Sequence, residues 1–425
     1  MFLTRLKLLL KTLFYLQLSN FNKALKSCKM LVESDLTPFA KKADYNKIVE
    51  KIAERMVACR KIEPKKVDIS GYKTRVLLLN SEIYDSGGHT QMAIQFAEAF
   101  AGEYEIFVYL TNFFDTKHET APVKSAVLQG LAAEYYKSQK SRLDEKVVEL
   151  YDYIIRRKIT TINVNMHMQD VVSCAVLYLL KKHTNINIIF WNHGSHWYSL
   201  ATCYAKKIVF GCKNGEIITP YLQGQDNVIS LPFLMTRKVE ANLSKPNLKE
   251  SLGIPQEAFV TLTGCGREKL GAEYFELIRR ILQSNERIYH IWVGGAGESD
   301  AECKINSKRF VKTEFSPDFD SFIAACDLYI DSFPQGSALT LVDCIRQGKP
   351  VVIKINEEFR FKSFEEYLCE GYELASVTSE GMFAGVTRLA SDKAFYSKMR
   401  EKVLTHYKNT YTLEVAKPLY EKLIV

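Results

Sequence analysis

The sequence predicts an α/β protein with two doubly wound, Rossmann-like parallel sheets, an N-terminal helical extension and a C-terminal helical tail. Short apolar runs alternate with helical patterns from about residue 75 onward, and the alternation restarts after a proline-bounded connection at 220–232. The 425 residues also exceed the size of one ordinary domain. We therefore expect a helical extension over 1–70, a first α/β domain over 71–232 and a second, with its tail, over 233–425.

The amino-acid composition limits the classes of function that this protein can have. The chain is 47% hydrophobic and 25% charged with a formal net charge of +8, a modest basic excess that favours anionic ligands and carries no nucleic-acid signature. The ten cysteines are scattered without zinc-site spacing, which is typical of reduced thiols in a cytoplasmic protein. No apolar stretch reaches the roughly 18–20 residues that a membrane span requires.

The first 60 residues have a helical pattern with a basic character. Leucines recur at Leu3, Leu6, Leu10 and Leu13, and no acidic residue precedes Glu33. Such a helix can pack against the rest of the chain with a solvated basic edge, or it can lie on an anionic membrane surface. Both interpretations stay open, and the second implies peripheral contact through residues 1–30 at the inner face of the membrane.

The first α/β domain opens with a buried strand at 75–80, and its loop contains Asp85, Gly87 and Gly88 immediately before a helix. Ligands bind beyond the carboxyl ends of strands in open α/β sheets, and paired glycines let a ligand approach the backbone closely. The loop lacks the complete glycine fingerprint of dinucleotide sites. We therefore interpret Gly87 and Gly88 as candidate donor-binding residues, with a simple tight turn as the alternative.

Histidines follow three predicted strands of this domain. His89 comes after the first strand, His167 after a strand at 160–165, and His193 after a strand at 186–190. Because the carboxyl ends of parallel strands meet at one edge of the sheet, these side chains are expected to lie close together. We select His89, His193 and the nearby Asp85 as candidate catalytic groups for moving a proton.

The second domain contains a strand–loop–helix–strand unit over 326–353. Its loop would place Gly336 close to a ligand, and Ser337 and Thr340 would supply hydroxyls in the first turn of the helix. Free amides and the positive helix end suit a phosphate there. Asp343, one turn further along, could accept hydrogen bonds from a ribose diol. An ordinary loop with a helix cap is the alternative.

Four segments of the second domain, at 264–270, 291–293, 331–343 and 348–352, together resemble the C-terminal lobe of GT-B glycosyltransferases. The resemblance is strongest to the O-GlcNAc transferase core and to the bacterial adhesin N-glucosyltransferases. The Asn-His-Gly-Ser-His run at 192–196, in the first domain, also resembles this family. The similarity spans about 75–400 and excludes the first 70 residues.

The resemblance implies a nucleotide-sugar site in the second domain. Lys269 would contact the diphosphate, with Arg267 as a second cation, and Thr340 and the backbone at Gly336 and Ser337 would hold the β-phosphate. These cations and amides would stabilise the leaving group without a metal. The donor would be a UDP-sugar, and no cofactor is expected.

Two motifs bear on the mechanism, and the first departs from the family's pattern. The Glu-x7-Glu arrangement of many retaining members is missing, and Asp343 stands there without a partner glutamate, which favours inverting chemistry. The single Asp-x-Asp motif, Asp318 and Asp320, opens a predicted helix, where first-turn carboxylates are common without any metal.

The sequence therefore predicts a metal-independent, inverting glycosyltransferase that moves a sugar from a UDP-sugar to a protein or glycan acceptor. One alternative is a non-catalytic partner of a transferase with the same fold. Another is a membrane-surface transferase that acts on a lipid-linked glycan. A nucleotide-sugar epimerase would need paired carboxylates at the sugar, and the sequence offers no such pair.

Overall fold

A computed structural model describes residues 2–35, 45–85, 88–116, 121–193, 197–211, 214–237, 245–295, 305–355 and 367–424. The chain divides into two compact units. The first unit comprises Met1–Leu234 together with Ala416–Val425, and the second comprises Met235–Val415. Each unit is built around one parallel sheet.

The sheet of the first unit has the strand order β3-β2-β1-β4-β5-β6-β7, and all of its neighbouring strands are parallel. Its central strand β4 is buried along its whole length, as expected of a parallel sheet covered on both faces. The strands are β1 (Arg75–Asn80), β2 (Glu105–Leu110), β3 (Glu134–Lys137), β4 (Thr161–Asn165), β5 (Asn187–Trp191), β6 (Lys207–Phe210) and β7 (Val228–Ser230).

Helices cover this sheet and precede it in the chain. They are α1 (Phe2–Gln17), α2 (Phe21–Glu33), α3 (Asn46–Ala58), α4 (Gly88–Phe100), α5 (Pro122–Leu131), α6 (Leu143–Arg156), α7 (Val171–His183) and α8 (Asn214–Gln223). A short 3₁₀ helix spans Thr202–Tyr204. None of the helices in the described ranges is both long enough and apolar enough to cross a bilayer.

The sheet of the second unit has the order β10-β9-β8-β11-β12-β13, again with parallel neighbours. Its strands are β8 (Phe259–Gly264), β9 (Ile288–Val293), β10 (Phe310–Thr313), β11 (Leu328–Ile330), β12 (Val351–Lys354) and β13 (Ala375–Ser376). Its helices are α9 (Lys245–Ser251), α10 (Ala272–Ser284), α11 (Phe319–Ala325), α12 (Leu339–Arg346), α13 (Ser379–Ser391) and α14 (Lys393–Thr410), and a 3₁₀ turn spans Arg267–Lys269.

The predicted architecture of two parallel α/β sheets is confirmed, while the observed units divide the chain differently from the expected boundaries. Phe21 and Val49 belong to the same buried cluster as Ile162, so α2 and α3 share the core of the first sheet. The last helix, α15 (Leu413–Ile424), also returns to this unit, where Thr161 donates a hydrogen bond to the Ile424 carbonyl at 3.1 Å. The expected helical extension and the end of the tail therefore group with the first unit.

Candidate active site

The loop that follows β11 in the second unit is held by a buried carboxylate, Asp331. Its Oδ1 accepts hydrogen bonds from the Ser337 amide at 3.0 Å and from the Ser337 hydroxyl at 2.6 Å. The same hydroxyl lies 2.8 Å from that of Tyr329, and burial raises the pKa of Asp331 to about 6. Both donors of Ser337, which the sequence assigned to a phosphate, are therefore engaged within the loop.

Helix α12 begins without a side-chain cap. Ala338 occupies the N-cap position and makes no side-chain hydrogen bond to the helix, so the first-turn amides of α12 have no capping side chain of their own. Gly336 is buried just before this turn, and Thr340 is half-buried within it. The Thr340 hydroxyl bonds to no residue in the described part of the chain, which leaves it able to bind a phosphate oxygen.

Lys269 lies beside this loop. Strand β8, which precedes its 3₁₀ turn, pairs with β11, and the amide of Gly271 donates to the Phe333 carbonyl at 3.0 Å across the two loops. Lys269 is half-buried and lies near enough to Asp331 to lower the pKa of that carboxyl. Its ammonium forms no ion pair or hydrogen bond with a described residue, so this positive charge remains available for an anion.

Arg267 supports the turn that carries Lys269. Its guanidinium donates to the carbonyl of Leu270 and lies over the ring of Phe275, 5.1 Å from the ring centroid. These contacts hold the Arg267 side chain on the surface of the second unit, to which it belongs. The expectation that Arg267 binds the donor directly would require the loss of these contacts.

Asp343, the expected ribose ligand, belongs to a buried ion-pair network. Its Oδ1 lies 3.4 Å from the Arg346 Nε, and Arg346, which is 1% exposed, also bonds Asp320 at 2.5 Å. Burial raises the pKa of Asp343 to about 6. A ribose would have to compete with Arg346 for this carboxylate.

The Asp-x-Asp motif is engaged by protein groups. Asp318 caps α11 by accepting from the Ser321 amide at 3.2 Å and the Ser321 hydroxyl at 2.5 Å. Asp320 accepts from Arg346 and, at 3.1 Å, from Gln347. This is the structural role that the motif's position at a helix start indicates.

In the first unit, three histidines line one cleft of about 380 Å³ at the carboxyl ends of β1, β4 and β5. The rings of His89 and His193 are stacked with centroids 5.5 Å apart, and His167 meets the edge of Phe114 at 4.9 Å. The remaining lining residues are Ser81, Glu82, Tyr84, Asn165 and Met168. The convergence expected from the sequence is present for all three histidines.

His89 is held as a neutral imidazole. Burial is the main cause that lowers its pKa to about 4, and the nearby His167 and Lys124 add to the shift. The Asn165 side chain fixes the start of α4 by donating to the His89 carbonyl at 2.8 Å. At neutral pH the ring is therefore unprotonated, and the same shift makes it a weaker base than an ordinary imidazole.

The other candidate residues of the first unit that the structure describes differ from His89 in their surroundings. The Asp85 carboxylate accepts a hydrogen bond from the Lys124 amide at 3.2 Å, near the start of α5, so it caps that helix. Gly88 is exposed and opens α4, whereas Gly87 lies outside the described residues. His193 is exposed at the mouth of the cleft.

Two carboxylates that the sequence reasoning missed organise the cleft. Asp170 is fully buried at the N-cap of α7 and accepts hydrogen bonds from Ser81 at 2.7 Å and Thr111 at 2.8 Å. Glu82 lines the cleft, its pKa is raised by burial, and it accepts from the Phe114 amide at 3.1 Å. The N-cap position of Asp170 before an apolar helix was a readable signal, whereas nothing local marked Glu82.

No family model matches the sequence, and no curated protein sequence matches it either. Solved structures do match the fold. HepE from Anabaena in complex with UDP and glucose is 15% identical, with a TM-score of 0.64 over 82% of this chain and 98% of that one. A glycosyltransferase from Rickettsia africae is 13% identical, with a TM-score of 0.64 over 83% and 98%.

A third match extends further along this chain. An O-GlcNAc transferase mutant from Thermobaculum terrenum is 14% identical, with a TM-score of 0.58, and covers 96% of this chain and 82% of that one. At such low identities the matches establish the fold alone. The two parallel α/β units of this chain have the GT-B glycosyltransferase fold that the sequence resemblance implied.

Proposed function

We propose that this protein transfers a sugar from a UDP-sugar to a hydroxyl or amide of a glycan or protein, with inversion, without a metal and without a cofactor. The observation that carries the proposal is the half-buried Lys269 beside the uncapped start of α12. Similar folds that are described with UDP, UDP and glucose, or UDP-glucose support the choice of donor.

On the donor side, the diphosphate must leave with an extra negative charge. The bond between the anomeric carbon and the β-phosphate oxygen breaks, and its electron pair stays on UDP. Lys269 and the first-turn amides of α12 would stabilise that charge, and the Thr340 hydroxyl would hold one phosphate oxygen. Because Asp318 and Asp320 are bonded to protein groups, positive charge from Lys269 is the better-supported source of this stabilisation.

On the acceptor side, His89 would take the proton from the attacking oxygen or nitrogen as the new bond to the anomeric carbon forms. Its lowered pKa keeps the ring neutral in the resting state, and the cleft that it shares with His193 has room for a sugar or peptide group. Inversion is supported by the engagement of Asp343 with Arg346, because it leaves that carboxylate poorly placed to assist a retaining reaction.

A non-catalytic partner of a transferase remains a second candidate. Two expected donor contacts are already bonded within the unit, the Ser337 amide to Asp331 and the Asp343 carboxylate to Arg346. A protein that had lost donor binding could keep such internal contacts. For both candidates we assign the protein to the cytoplasm, supported by eight cysteines among the described residues that form no disulfide.

The deciding experiment is a thermal-shift screen with UDP-, GDP- and CMP-sugars, followed by an assay for hydrolysis of each stabilising donor. We expect UDP-sugars to raise the melting midpoint, because a ligand that binds only the folded state stabilises it. Lys269→Ala should remove most of the shift, whereas the exposed Lys308→Ala should keep it. A chain that binds no nucleotide sugar would favour the non-catalytic partner.

A further inference from the structure

The outward side of α1 is an apolar surface that the fold leaves uncovered. Leu3 is 69% exposed, and Leu10 and Phe14 are each 56% exposed. Together with Leu6 and Leu13 they fall within about 100° of the helix circumference at 100° per residue. We call these five residues the α1 outer face. Contiguous exposed apolar surfaces of this kind on soluble chains usually mark interaction sites.

The opposite side of α1 already satisfies the packing of this helix. Leu8 and Thr12 are buried, and the Leu8 carbonyl accepts hydrogen bonds from the hydroxyls of Thr12 at 2.8 Å and Ser27 at 3.0 Å. The Arg5 side chain pairs with Asp35. The α1 outer face therefore contributes nothing to the core, and a role outside the unit is needed to explain five large apolar side chains there.

The charges beside this face have a single sign. Lys7 and Lys11 are exposed next to it on α1, and Lys23 and Lys26 are exposed on the adjacent helix α2. The sequence contains no aspartate or glutamate before Glu33. An apolar stripe with exposed lysines on its own helix and on the adjacent helix is complementary to a surface that is apolar inside and anionic outside.

We propose that the α1 outer face binds an anionic lipid bilayer surface, with its leucines and Phe14 in the interfacial layer and the four lysines against lipid phosphates. A second copy of this chain is disfavoured as the occupant, because two such faces would bring eight lysines together. The inference is independent of the proposed sugar transfer.

Helix α2, which packs against α1, also contacts residues at the histidine cleft of the same unit. Lys29 of α2 lies over Phe113 at 4.3 Å and over Phe114 at 5.0 Å, and Phe114 lines the cleft. Gln169, in the loop after β4, donates to Glu33 at 2.8 Å. Docking of α1 would therefore hold the cleft at a fixed position relative to the lipid surface.

The test is flotation of the full chain with vesicles of phosphatidylcholine alone and with vesicles that contain equal parts of phosphatidylglycerol. An apolar variant carries Leu6→Gln, Leu10→Gln and Phe14→Gln. A charge variant replaces all four lysines by glutamine, and a matched control makes the same change in net charge at exposed lysines elsewhere, namely Lys51, Lys308, Lys393 and Lys408. Because all of these positions are exposed, circular dichroism should show unchanged folding.

We expect wild type and the matched control to float with anionic vesicles and to be released as salt rises. The charge variant should lose about 600-fold in partition coefficient, since each of its four lysines near an anionic surface contributes about fivefold, and the apolar variant should also lose most of its binding. Retention of wild type in the soluble fraction, or equal loss in the matched control, would overturn the proposal. So would a concentration-dependent dimer that the apolar variant abolishes, or binding to a protein partner alone.

Discussion

Asp170 in the first unit and Asp331 in the second are buried carboxylates that follow a core strand of their own sheet, β4 and β11 respectively. Asp170 accepts five hydrogen bonds, from the hydroxyls of Ser81, Thr111 and Ser173 and from the amides of Val172 and Ser173. Asp331 instead has both Ser337 donors on one oxygen and lies near the Lys269 ammonium.

Asp170 therefore supports the framework of the first unit, whereas Asp331 belongs to a charged region of the second unit that suits an anion. In the first unit the buried carboxylate of Asp170 is saturated by donors, so the titratable groups that face the cleft are the histidines, Glu82 and Tyr84. In the second unit the carboxylate shares its surroundings with a half-buried cation and an uncapped helix start, which suit an incoming anion. Four predictions test this contrast, from the largest expected effect to the smallest.

The largest effect is expected at His89. His89→Ala should lower kcat for sugar transfer about 10³-fold, within the range for loss of a general base, whereas His183→Ala at the end of α7 should change it little. The lowered pKa of His89 also sets the pH profile. The base is active when neutral, so kcat/KM should stay level as pH falls from 8 to 5 and decline only near pH 4. A decline centred near 6.5 would assign the proton transfer to a different histidine.

The framework role of Asp170 predicts a loss of stability. Asp170→Ala would leave its donors without an acceptor in a buried site, which should lower the free energy of unfolding by about 3 kcal/mol. Urea denaturation followed by circular dichroism measures this loss, with the exposed Asp152→Ala as control. An unchanged midpoint would show that water replaces the carboxylate. Asp170 would then differ less from Asp331 in its structural role than we infer.

For Lys269, the contrast predicts a loss of turnover with an intact fold. Lys269→Ala should reduce kcat about 10²-fold, because one preorganised positive group at the leaving oxygen is lost. Lys308→Ala provides the matched control. Because Lys269 is also expected to contact the diphosphate in the bound state, calorimetry should show weaker UDP binding. Turnover equal to wild type would remove Lys269 from the donor site.

Sequence reasoning was sufficient for the fold because its signals were local. The apolar runs at 75–80 and 259–264 are too short for helices and are followed by glycine-containing loops. The alternation of strands and helices indicates parallel strands whose carboxyl ends share one edge, so the convergence of His89, His167 and His193 could be predicted without contacts. These positions depend on topology rather than on side-chain packing.

The bonding partners of individual side chains were harder to predict from the sequence. Arg346 is three residues from Asp343, a spacing that the sequence displays, but its stronger bond to Asp320 depends on how α11 packs beside α12. The donors to Asp170 come from the residues just after β1 and β2 and from α7. Such networks depend on tertiary packing, which the hydrophobic periodicity of the sequence does not predict.

The smallest effect is expected from Asp331→Asn, and it tests whether the carboxylate and the donor share one electrostatic environment. The pKa of Asp331 is raised to about 6 from an ordinary value of 3.8. The folded state therefore holds this proton more tightly, so the group favours folding below about pH 4 and this contribution is lost as pH rises through 6. At pH 7.5 a buried negative charge remains beside Lys269, where it opposes a diphosphate.

Asparagine keeps an oxygen that can accept both Ser337 donors but removes that charge. We expect Asp331→Asn to bind UDP two- to threefold more tightly than wild type at pH 7.5, a change of about 0.5 kcal/mol, and about equally at pH 5, where the wild-type carboxyl is mostly protonated. Calorimetry of both proteins at the same pH cancels the titration of UDP itself. Weaker binding by Asp331→Asn at both pH values would mean that the carboxylate acts by orienting Lys269, and the two buried aspartates would then be alike in supporting a framework.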